Sequence, residues 1–533
     1  MSERSKNIVI LGGGFGGVYT ARHLEKLFTP GEVSIKLVNR ENYWVYQPML
    51  PEVISGSIGI TDVVSPIRHL CSRTQLVMRE VEDIDLRKKI ITLSPGFRPR
   101  RMELPYDYLV IALGGITDFY GMPGLIENAM PFRTLAHAIA LRNHLIHTLE
   151  EADVESDPDL RRRLLTFVVA GGGFSGVEVM AELNDFIHAV KRNYRTLRDE
   201  KVRCVLVHAG DRILPEMTGG LAAFAQKILT RRGVEIVLND RLVAATSEKA
   251  IFKSGLKVPC RTIVSTVPSA LAPVLRELRC AKERDRLKVN SSMELEGYEG
   301  EVWAVGDCAT ATTVKGSPVP PTAQHATRAA KTVALNIAAA IHGTPKNGFA
   351  FEGLGTLGAL GHYSAVANIT GVHLSGLPAW FMWRAIYLMK MPGLNRKFRI
   401  GLDWLIAFLF APDLVQIGIS RDSSVTRQHF EPGEIVFNQG DLGDNVYVVE
   451  KGQCEVLKET GGLQEHIADL GPGDYFGEMA VLADVSRNAT IRAVTPLEVL
   501  LIPKNDFNLL KAAVPAFGNV FRDLAEHRRA AGS

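Results

Sequence analysis

Two glycine clusters are the part of this sequence whose residue types and spacing point most directly to chemistry. Each follows a short apolar run, at residues 8–11 and 166–170, and each opens a helical stretch. Glycines in the pattern GxGxxG allow a tight turn and a close approach of backbone to a pyrophosphate, and the helix N-terminus offers free N–H groups. The pattern is met by Gly12, Gly14 and Gly17 in the first cluster and by Gly171, Gly173 and Gly176 in the second. Two such units predict two dinucleotide-binding sites.

The first helical turn of each unit and the end of its next strand complete the predicted sites. The residues expected to contact the nucleotides there are Phe15, Gly16, Asn39 and Arg40 in the first unit and Phe174, Ser175 and His208 in the second. An acidic residue commonly binds the ribose hydroxyl at the strand end. Asn39 can still donate and accept a hydrogen bond, and His208 lacks the charge that would repel a 2′-phosphate. The choice between NADH and NADPH therefore stays open.

Composition limits the partners and the compartment that are expected. The 533 residues carry 61 basic and 58 acidic side chains, a net charge of +3, so nucleic acid is not an expected partner. The six cysteines are scattered singly, which predicts neither a metal site nor a redox-active dithiol. The first apolar strand ends in glycines and does not resemble a secretory signal, which favours the reducing cytoplasm.

The alternation of apolar runs with helical stretches predicts an α/β fold with two Rossmann-like domains, the second inserted into the first. The expected divisions are 1–150 and 286–350 for the first dinucleotide domain, 151–285 for the second, 351–424 for strands and apolar helices, and 425–533 for a last domain. In that last domain short apolar runs alternate with turns, which is typical of antiparallel β-structure. Residues 505 to 527 are predicted to be helical.

Four further motifs resemble those of the type II NADH:quinone oxidoreductases, flavoproteins with two dinucleotide-binding domains. They lie at residues 41–50 (ENYWVYQPML), 106–114 (YDYLVIALG), 302–309 (VWAVGDCA) and 322–326 (TAQHA). The resemblance extends over residues 6–420. It implies FAD at the first glycine cluster and NADH or NADPH at the second. It also implies hydride transfer to FAD, followed by reduction of a quinone.

The resemblance implies roles for single residues as well. It places Asp307 at the ribityl or phosphate region of FAD, Gln324 beside the isoalloxazine and the quinone, and Glu178 on the nicotinamide side of the flavin. Gln47 and Gly114 belong to motifs that line the FAD site. Glu178 and Gln324 are thus the expected catalytic residues. A purely structural role of Glu178, in the first turn of a helix, is an equal alternative.

Some features depart from the family pattern or permit a structural interpretation. Residues 264–268 read VSTVP, and a lysine often found before residues 354–358 is missing, which affects the nicotinamide and quinone sites more than the FAD site. Cys308 is interpreted as a packing residue. The aromatic residues of the 41–50 motif are as consistent with core positions as with flavin neighbours.

The segment 378–410 holds two apolar stretches with Trp, Tyr, Arg and Lys residues among them. Each is shorter than the ~20 residues that cross a bilayer. Such a composition favours helices lying in a membrane interface, and the resemblance implies membrane-docking helices here that give access to quinone. The expected location is therefore the inner face of the cell membrane, as a peripheral protein. A buried helical hairpin or a homodimer contact is the alternative.

Residues 425–527 resemble the cyclic-nucleotide-binding β-roll, with the motif FGEMAVL at 476–482 and RNAT at 487–490. The resemblance implies that Glu478 binds the ribose 2′-OH and that Arg487 pairs with the cyclic phosphate of cAMP or cGMP. The other residues expected at this site are Gly477, Met479, Ala480, Asn488 and Ala489. Asn488 replaces a small residue and could crowd the ligand. A ligand-free copy of the fold is the alternative.

The sequence therefore predicts a peripheral membrane NAD(P)H:quinone oxidoreductase with FAD, regulated through its C-terminal domain. The alternative from another class is a regulatory flavoprotein that senses redox state and turns over little.

Overall fold

The structure is a computed structural model that describes residues 5–96, 101–119, 121–266, 269–410, 412–417, 426–441, 443, 445–460, 463–483, 485–504 and 506–507. The helix predicted over 505–527 lies almost entirely outside these residues.

The first dinucleotide unit is built on a parallel sheet. The strands of this part of the chain are β1 (Lys6–Leu11), β2 (Val33–Asn39), β3 (Tyr43–Val45), β4 (Val64–Pro66), β5 (Gln75–Met78), β6 (Val81–Asp85), β7 (Ile90–Leu93), β8 (Met102–Pro105), β9 (Tyr108–Ile111), β10 (Ile116–Thr117) and β11 (Met130–Pro131). Its helices are α1 (Phe15–Leu27), α2 (Leu50–Ser55), α3 (Ile67–Leu70), α4 (Leu125–Asn128), α5 (Leu135–Val154) and α6 (Pro158–Leu164). Four consecutive buried apolar residues end β1, as expected for a strand covered on both faces.

The second unit repeats this arrangement. Its strands are β12 (Thr166–Ala170), β13 (Arg203–Val207), β14 (Val234–Val237), β15 (Leu242–Ala245), β16 (Lys249–Phe252), β17 (Lys257–Pro259), β18 (Thr262–Ser265) and β19 (Ser269–Ala270), and its helices are α7 (Phe174–Val190), α8 (Gly219–Arg231) and α9 (Pro273–Glu277). The parallel sheet has the order β11-β18-β12-β13-β14, and β15, β16 and β17 form a small antiparallel sheet beside it. The buried strand β12 leads directly into the second glycine cluster.

The chain then returns to the first sheet. The elements of the return are β20 (Lys282–Glu283), β21 (Arg286–Lys288), β22 (Val302–Ala304), β23 (Ala309–Thr310) and α10 (Ala323–His342). The first sheet has the order β22-β9-β1-β2-β5, so the second unit is inserted between β9 and β22. Two short strands, β10 and β19, pair where the chain passes between the units. The predicted α/β class with two Rossmann-like units is confirmed.

A three-stranded sheet and two helices follow: β24 (Gly355–Ala359), β25 (Ala365–Ile369), β26 (Val372–Gly376), α11 (Leu377–Lys390) and α12 (Leu394–Leu409). Both helices match the predicted apolar stretches. Within the described residues, every helix is too short or too polar to traverse a lipid bilayer.

The last domain is an antiparallel β-structure. It comprises β27 (Thr426–Phe430), β28 (Ile435–Phe437), β29 (Asn445–Lys451), β30 (Cys454–Thr460), β31 (Leu463–Leu470), β32 (Tyr475–Phe476), α13 (Glu478–Ala483), β33 (Thr490–Ala493) and β34 (Leu497–Pro503). Two four-stranded sheets, β27-β34-β29-β32 and β28-β33-β30-β31, enclose their own apolar core. This arrangement agrees with the β-roll predicted from the sequence.

Candidate active site

The first glycine loop forms a backbone cradle between β1 and α1. Gly12 has a φ of +106°, which favours glycine, and its N–H donates to the carbonyl oxygen of Val38 at 2.8 Å. A Cβ at Gly17 would overlap the carbonyl oxygen of Gly12, so the loop and the helix touch backbone to backbone. A Cβ at Gly14 would meet no described atom within 4 Å. The cradle is therefore closed below and open at the helix N-terminus, where an anion binds best.

Asn39 stands at the end of β2, as predicted, and closes one side of this cradle. Its Oδ1 accepts the N–H of Gly13 at 2.9 Å, and its Nδ2 donates to the carbonyl of Glu41 at 2.8 Å. Arg40 points to solvent and forms an exposed ion pair with Glu80 at 3.4 Å. The amide of Asn39 is thus fixed at both ends, whereas Arg40 makes a solvent-exposed contact.

The second loop reproduces the first between β12 and α7. The N–H of Gly171 donates to the carbonyl of Val207 at 2.8 Å, and a Cβ at Gly176 would overlap the carbonyl oxygen of Gly171. A Cβ at Gly173 would lie 3.6 Å from a carboxylate oxygen of Glu216. This cradle is also open at the start of its helix.

His208 takes the position of Asn39 in the second unit. Its Nδ1 accepts the N–H of Gly172 at 3.1 Å, so this nitrogen carries no proton. Burial lowers the pKa of the imidazole, although Glu216 and Asp211 act in the opposite direction. The side chain is therefore neutral near pH 7. It carries no negative charge that would repel a 2′-phosphate.

The loops that face the first cradle leave space for FAD. Gly114, after β9, has a φ of +65°, and a Cβ added there would meet no described atom within 4 Å. The Asp307 carboxylate is partly exposed and accepts a hydrogen bond from Arg133 at 2.8 Å. The open faces of Gly14 and Gly114 leave room for a dinucleotide, and Asp307 offers acceptors to its hydroxyl groups. These residues fit a bound FAD.

The two units meet at α7, β24 and the start of α10. Glu178, in the second turn of α7, is nearly buried, and its Oε1 accepts the N–H of Ala359 at 3.0 Å. Gln324 holds the other end of β24: its Nε2 donates to the carbonyl of Gly355 at 3.0 Å, and its Oε1 accepts the N–H of Leu354 at 3.1 Å. The two expected catalytic residues therefore contact one strand from opposite units.

Several acidic groups lie buried around Glu178. Burial raises the pKa of Glu178 to about 8, and it raises the pKa of Glu182 to about 7. Burial also raises the pKa of Glu52 on α2, although Arg384 at 3.5 Å and the indole N–H of Trp404 at 2.8 Å favour its charged form. Such shifted carboxyl groups are frequent where proton transfer takes place.

Two of the three aromatic residues of the 41–50 motif are buried. Trp44 is 1% and Tyr46 3% exposed, and Phe15 packs edge-on against Trp44 with centroids 5.0 Å apart. Cys308 is also buried, and burial raises its pKa to about 11, so it is a neutral thiol at pH 7. Its Sγ donates to the carbonyl of Ile111 at 3.5 Å, which is a packing role.

The tryptophans of α11 do not face solvent, which differs from the interfacial role expected for them. Trp380 is 9% and Trp383 2% exposed, and the Arg384 guanidinium lies between the rings of Trp380 (4.1 Å) and Trp404 (4.3 Å). Trp380 faces inward because its indole ring stacks on the guanidinium of Arg384. The positive charge of Arg384 in turn stabilises the charged form of the Glu52 carboxyl group. The exposed apolar side chains of the two helices are instead Leu377, Phe381, Met389, Leu394, Phe398, Leu402, Leu405, Ile406, Phe408 and Leu409.

In the last domain, Arg487 and Glu478 are both buried. Arg487 donates to the carbonyl oxygens of Gly477 at 2.7 Å and Asn445 at 2.8 Å, and its guanidinium lies 4.1 Å from the Phe437 ring centroid. Met479 and Ala480 follow Glu478 on α13, and Ala489 lies two residues after Arg487. Asn488 is exposed, with its Nδ2 3.9 Å from the Met479 sulfur.

The structure thus brings most of the predicted residues into four groups: the first cradle, the second cradle, the junction between them, and the separate turn at Arg487. Gln47 and Arg40 are exposed in the first unit. Sequence analysis missed Arg133, Glu52 and Glu182. Glu182 could have been found, since an acid four residues after Glu178 lies on the same helix face in an apolar helix.

Fold and site together define a class: an oxidoreductase with two dinucleotide-binding domains. The chain matches the pyridine nucleotide-disulphide oxidoreductase family over residues 6–330, the NDH2 C-terminal domain over 354–413 and the cyclic nucleotide-binding domain over 427–512. It is 30% identical to the type II NADH:quinone oxidoreductase Ndh of Mycobacterium tuberculosis over 423 residues, covering 76% of this chain and 89% of that protein. The chain belongs to the type II NADH:quinone oxidoreductase family.

Other relatives agree with this assignment. The demethylphylloquinone reductase NdbB of Synechocystis is 30% identical, with 76% of this chain and 97% of that protein covered. The solved structure of NDH2 from Plasmodium falciparum in complex with NADH matches with a TM-score of 0.71 at 19% identity, covering 77% of this chain and all of that one. That structure shares the fold of the part of the chain before the last domain.

Proposed function

We propose that this protein oxidises NADH bound at the second glycine loop and reduces a quinone near Glu178 and Gln324, with FAD bound at the first loop. FAD, when bound, supplies the hydride and electron chemistry. The observation that carries the proposal is the junction: α7 begins at the second cradle and brings Glu178 to β24, and Gln324 holds the same strand from the first unit. Membership of the family and the open faces of both cradles support it.

The roles of the single residues follow from their positions in this proposal. The first loop, Asn39, Gly114 and Asp307 would hold FAD, with Arg133 orienting Asp307 through their ion pair. The second loop and His208 would hold NADH. The Phe174 ring lies against Gly358 of β24, where an added Cβ would come within 2.9 Å of it, so Phe174 would stand between the nicotinamide and this strand. The domain divisions at 150, 285, 350 and 424 belong to the same proposal.

A spectroscopic experiment tests the electron transfer. The purified protein is expected to show a flavin absorbance band that NADH bleaches and a short-chain quinone restores. Glu178→Gln is expected to retain FAD and to slow the quinone-dependent step by about a hundredfold, the usual contribution of a proton-transferring group. The control is Glu235→Gln, a change to an exposed carboxylate on β14. A protein that bleaches with NADH but never recovers with any quinone would support the redox-sensing regulator instead.

The exposed apolar face of α11 and α12 supports binding to a membrane surface. Phe381, Phe398 and Phe408 are 60%, 74% and 64% exposed, which is unusual for large apolar side chains in water. The cations Arg396, Lys397 and Arg399 lie on the first turns of α12 and suit anionic headgroups. Since this face adjoins Glu52 and Tyr387, docking would bring lipid-soluble quinone to the junction.

Vesicle flotation tests the docking. The double variant Phe398→Glu/Phe408→Glu is expected to lose binding to vesicles that contain anionic lipid, while short-chain quinone reduction continues. Val154→Glu, which changes an exposed apolar residue at the end of α5, is the control and is expected to float normally. If the double variant floats like the wild type but changes from dimer to monomer in sedimentation, the face is a homodimer contact and the membrane proposal fails.

The last domain is proposed to bind cAMP or cGMP at Arg487 and Glu478. Arg487 reaches two carbonyl oxygens through Nη1 and Nη2, and its planar group suits bidentate pairing with a phosphate. Calorimetry with each nucleotide is expected to show binding that Arg487→Ala abolishes. Arg492→Ala, which removes a partly exposed ion pair with Glu455, is expected to keep it. Equal absence of heat for the wild type and Arg487→Ala would assign a ligand-free structural role.

A contact between the last domain and the NADH unit supports regulation. The Glu434 carboxylate accepts a hydrogen bond from Thr246 at 3.1 Å and pairs with Lys249 at 2.8 Å. Glu434 directly precedes β28, which ends at Phe437 beneath the Arg487 guanidinium. A nucleotide that moves Arg487 would therefore also move β28. The residue before that strand, Glu434, contacts the NADH unit. Regulation requires that the nucleotide bind two states of this contact unequally.

The coupling is tested by Lys249→Met. This variant is expected to bind cyclic nucleotide like the wild type but to lose the change in NADH oxidation that the nucleotide causes. Lys253→Met, also in the small sheet region of the second unit but not paired with Glu434, is the control. A nucleotide response that survives Lys249→Met would exclude this contact as the route.

A further inference from the structure

Three acidic residues lie along one face of α7, at a spacing that makes each the neighbour of the next. Glu178, Glu182 and Asp185 are four and three residues apart, so their side chains follow one another along the helix at about 5–6 Å. Glu178 and Glu182 are 9% and 5% exposed. Asp185 lies at the outer end and pairs at 3.1 Å with Arg232, the residue that follows α8. The face therefore leads from the surface towards the junction.

Glu182, in the middle, is a buried carboxyl group that lies beside the Ser55 hydroxyl. Its Oε2 has no hydrogen-bond partner among the described residues, although the side chain is almost fully enclosed. A buried carboxyl oxygen without a partner costs stability, and such groups persist where they serve a function. Along the helix, Glu182 stands between the carboxyl groups of Glu178 and Asp185.

The outer end of this row is accessible through His362, in the turn between β24 and β25. The backbone N–H of His362 donates to Asp185 at 2.7 Å, its Nδ1 lies 3.4 Å from the same oxygen, and its side chain is 36% exposed. The hydrogen bond to Asp185 raises the pKa of this imidazole. A surface imidazole of this kind exchanges protons readily with water.

The reaction requires a proton from the medium. NADH, one proton and a quinone give NAD⁺ and the quinol, so hydride supplies two electrons and one proton, and the second proton must come from water. The helices α11 and α12 cover the junction, and in the proposed function the membrane covers them. Direct access of water to the quinone from that side is therefore closed.

We propose that Glu182 relays this proton, received from Asp185 and His362 at the surface, to Glu178 beside the quinone. The relay rests on the proposed function, and it adds the source and path of the proton. Each step breaks one O–H or N–H bond and forms another, with water bridging neighbouring carboxyl groups, and the last proton goes to a quinone oxygen. No electron passes through these residues.

The surrounding charges support a relay rather than a fixed ion pair. The groups that face Glu182 are Glu178 and Asp185 on α7, Glu52 on α2, His362 before β25 and Arg384 on α11. Burial raises the pKa of Glu182 to about 7, an effect that Glu52 reinforces and His362 opposes. Arg384 is engaged by Glu52 and two indole rings. Glu182 can thus hold or release a proton near neutral pH, as a relay must.

The test separates the two half-reactions. Glu182→Gln keeps the shape and removes the exchangeable proton, so bleaching by NADH is expected to stay within about twofold, while recovery with quinone slows about a hundredfold. Glu182→Asp is expected to regain part of the rate. Glu294→Gln, which changes another buried carboxylate that pairs with Lys346, is the control and leaves both rates unchanged. Equal slowing of both half-reactions, or normal recovery, would overturn the relay.

Two further measurements keep the relay testable if Glu182→Gln does not fold. His362→Gln is expected to slow the recovery several-fold and to be rescued by small buffer acids, which replace a lost surface donor; an unchanged rate contradicts the path. In the protein without FAD, infrared difference spectra between about pH 5.5 and about pH 9.5 are expected to show a protonated carboxyl band that Glu182→Asp shifts. Wild-type protein that fails to bleach with NADH would instead refute the proposed function.

Discussion

The two glycine loops have the same backbone and differ in what surrounds them. The first is enclosed by two other segments, because a Cβ at Gly12 would overlap the carbonyl oxygen of Ala112 and one at Gly16 would lie 2.9 Å from Val305. The second faces Thr266, His208 and Glu216, of which two are titratable side chains at its open end. One phosphate cradle can therefore serve a resident group or an exchanging one, and the neighbours decide which.

The residue at the ribose position sharpens this difference. Asn39 bonds the loop on one side and the Glu41 carbonyl on the other, and it cannot titrate. His208 accepts one N–H from its loop, and its own carbonyl accepts the N–H of Asp240 at 3.1 Å. The first site is fixed by uncharged hydrogen bonds, whereas the second depends on the protonation state of an imidazole.

The largest effect is expected from a methyl group placed under each loop. Gly17→Ala forces the first loop away from its helix and should cost about 2 kcal/mol or more in FAD binding, roughly thirtyfold, so that the protein purifies with little colour. Gly176→Ala should leave the colour intact and raise the KM for NADH by a similar factor. Absorbance after purification and steady-state kinetics measure the two effects.

A matched control for this pair is Gly220→Ala in α8, where a Cβ would meet no described atom within 4 Å. It should change neither colour nor KM. If Gly176→Ala also purified colourless, the two loops would not serve separate ligands, and the comparison would be wrong.

Much of this comparison could be predicted from the sequence because it depends on short spacings. The loops, the helices that follow them, Asn39 and His208 lie within about forty residues of one another in each unit, and the backbone rules for such units are strict. The role of Arg133 could not be predicted, because Asp307 lies 174 residues from it, and although the spacing to Glu178 places Glu182 on the same helix face, its enclosure depends on other elements of the fold. Tertiary packing decides both.

The apolar helices α11 and α12 also show what the sequence could and could not predict. Their existence and length followed from the residue pattern, but the pattern could not tell which aromatic side chains point outward. Trp380 turns inward and stacks on the buried Arg384 guanidinium, Trp383 turns inward and packs against Tyr387, and the phenylalanines are left outside. A hydropathy pattern contains no information on which of its aromatic side chains face the protein interior.

A negative charge at the second ribose position is the next largest effect. His208→Glu should lower the ratio of kcat/KM for NADPH to that for NADH by about tenfold or more, because like charges at about 4 Å repel even near a protein surface. His147→Glu, at an exposed histidine of α5, should leave the ratio unchanged. An unaltered ratio in His208→Glu would mean that His208 does not face the ribose.

Loss of the Asn39 side-chain amide from the first loop should have a smaller effect. Asn39→Ala leaves the N–H of Gly13 without its acceptor and should weaken FAD binding by about 1 kcal/mol, roughly fivefold. Asn39→Asp keeps the acceptor oxygen and should bind FAD like the wild type. Fluorescence titration of the protein stripped of FAD measures both; equal affinity of the alanine variant would remove Asn39 from the site.

The smallest expected effect is on the pH dependence of the free energy of unfolding. His208 contributes to it in the second unit, whereas Asn39 in the first unit does not titrate. Burial lowers its pKa below the value of the unfolded chain, so at mildly acidic pH the unfolded chain binds more protons than the folded one. The free energy of unfolding should therefore fall as the pH drops below about 6.5, and the Gly172 contact is lost when Nδ1 takes up its proton. Thermal unfolding from about pH 5 to about pH 7.5 should show this fall in the wild type and a shallower one in His208→Asn, since an amide keeps the acceptor without titrating. Identical profiles for the two proteins would show that folding does not shift the pKa of His208, and the two cradles would then differ in their neighbours alone.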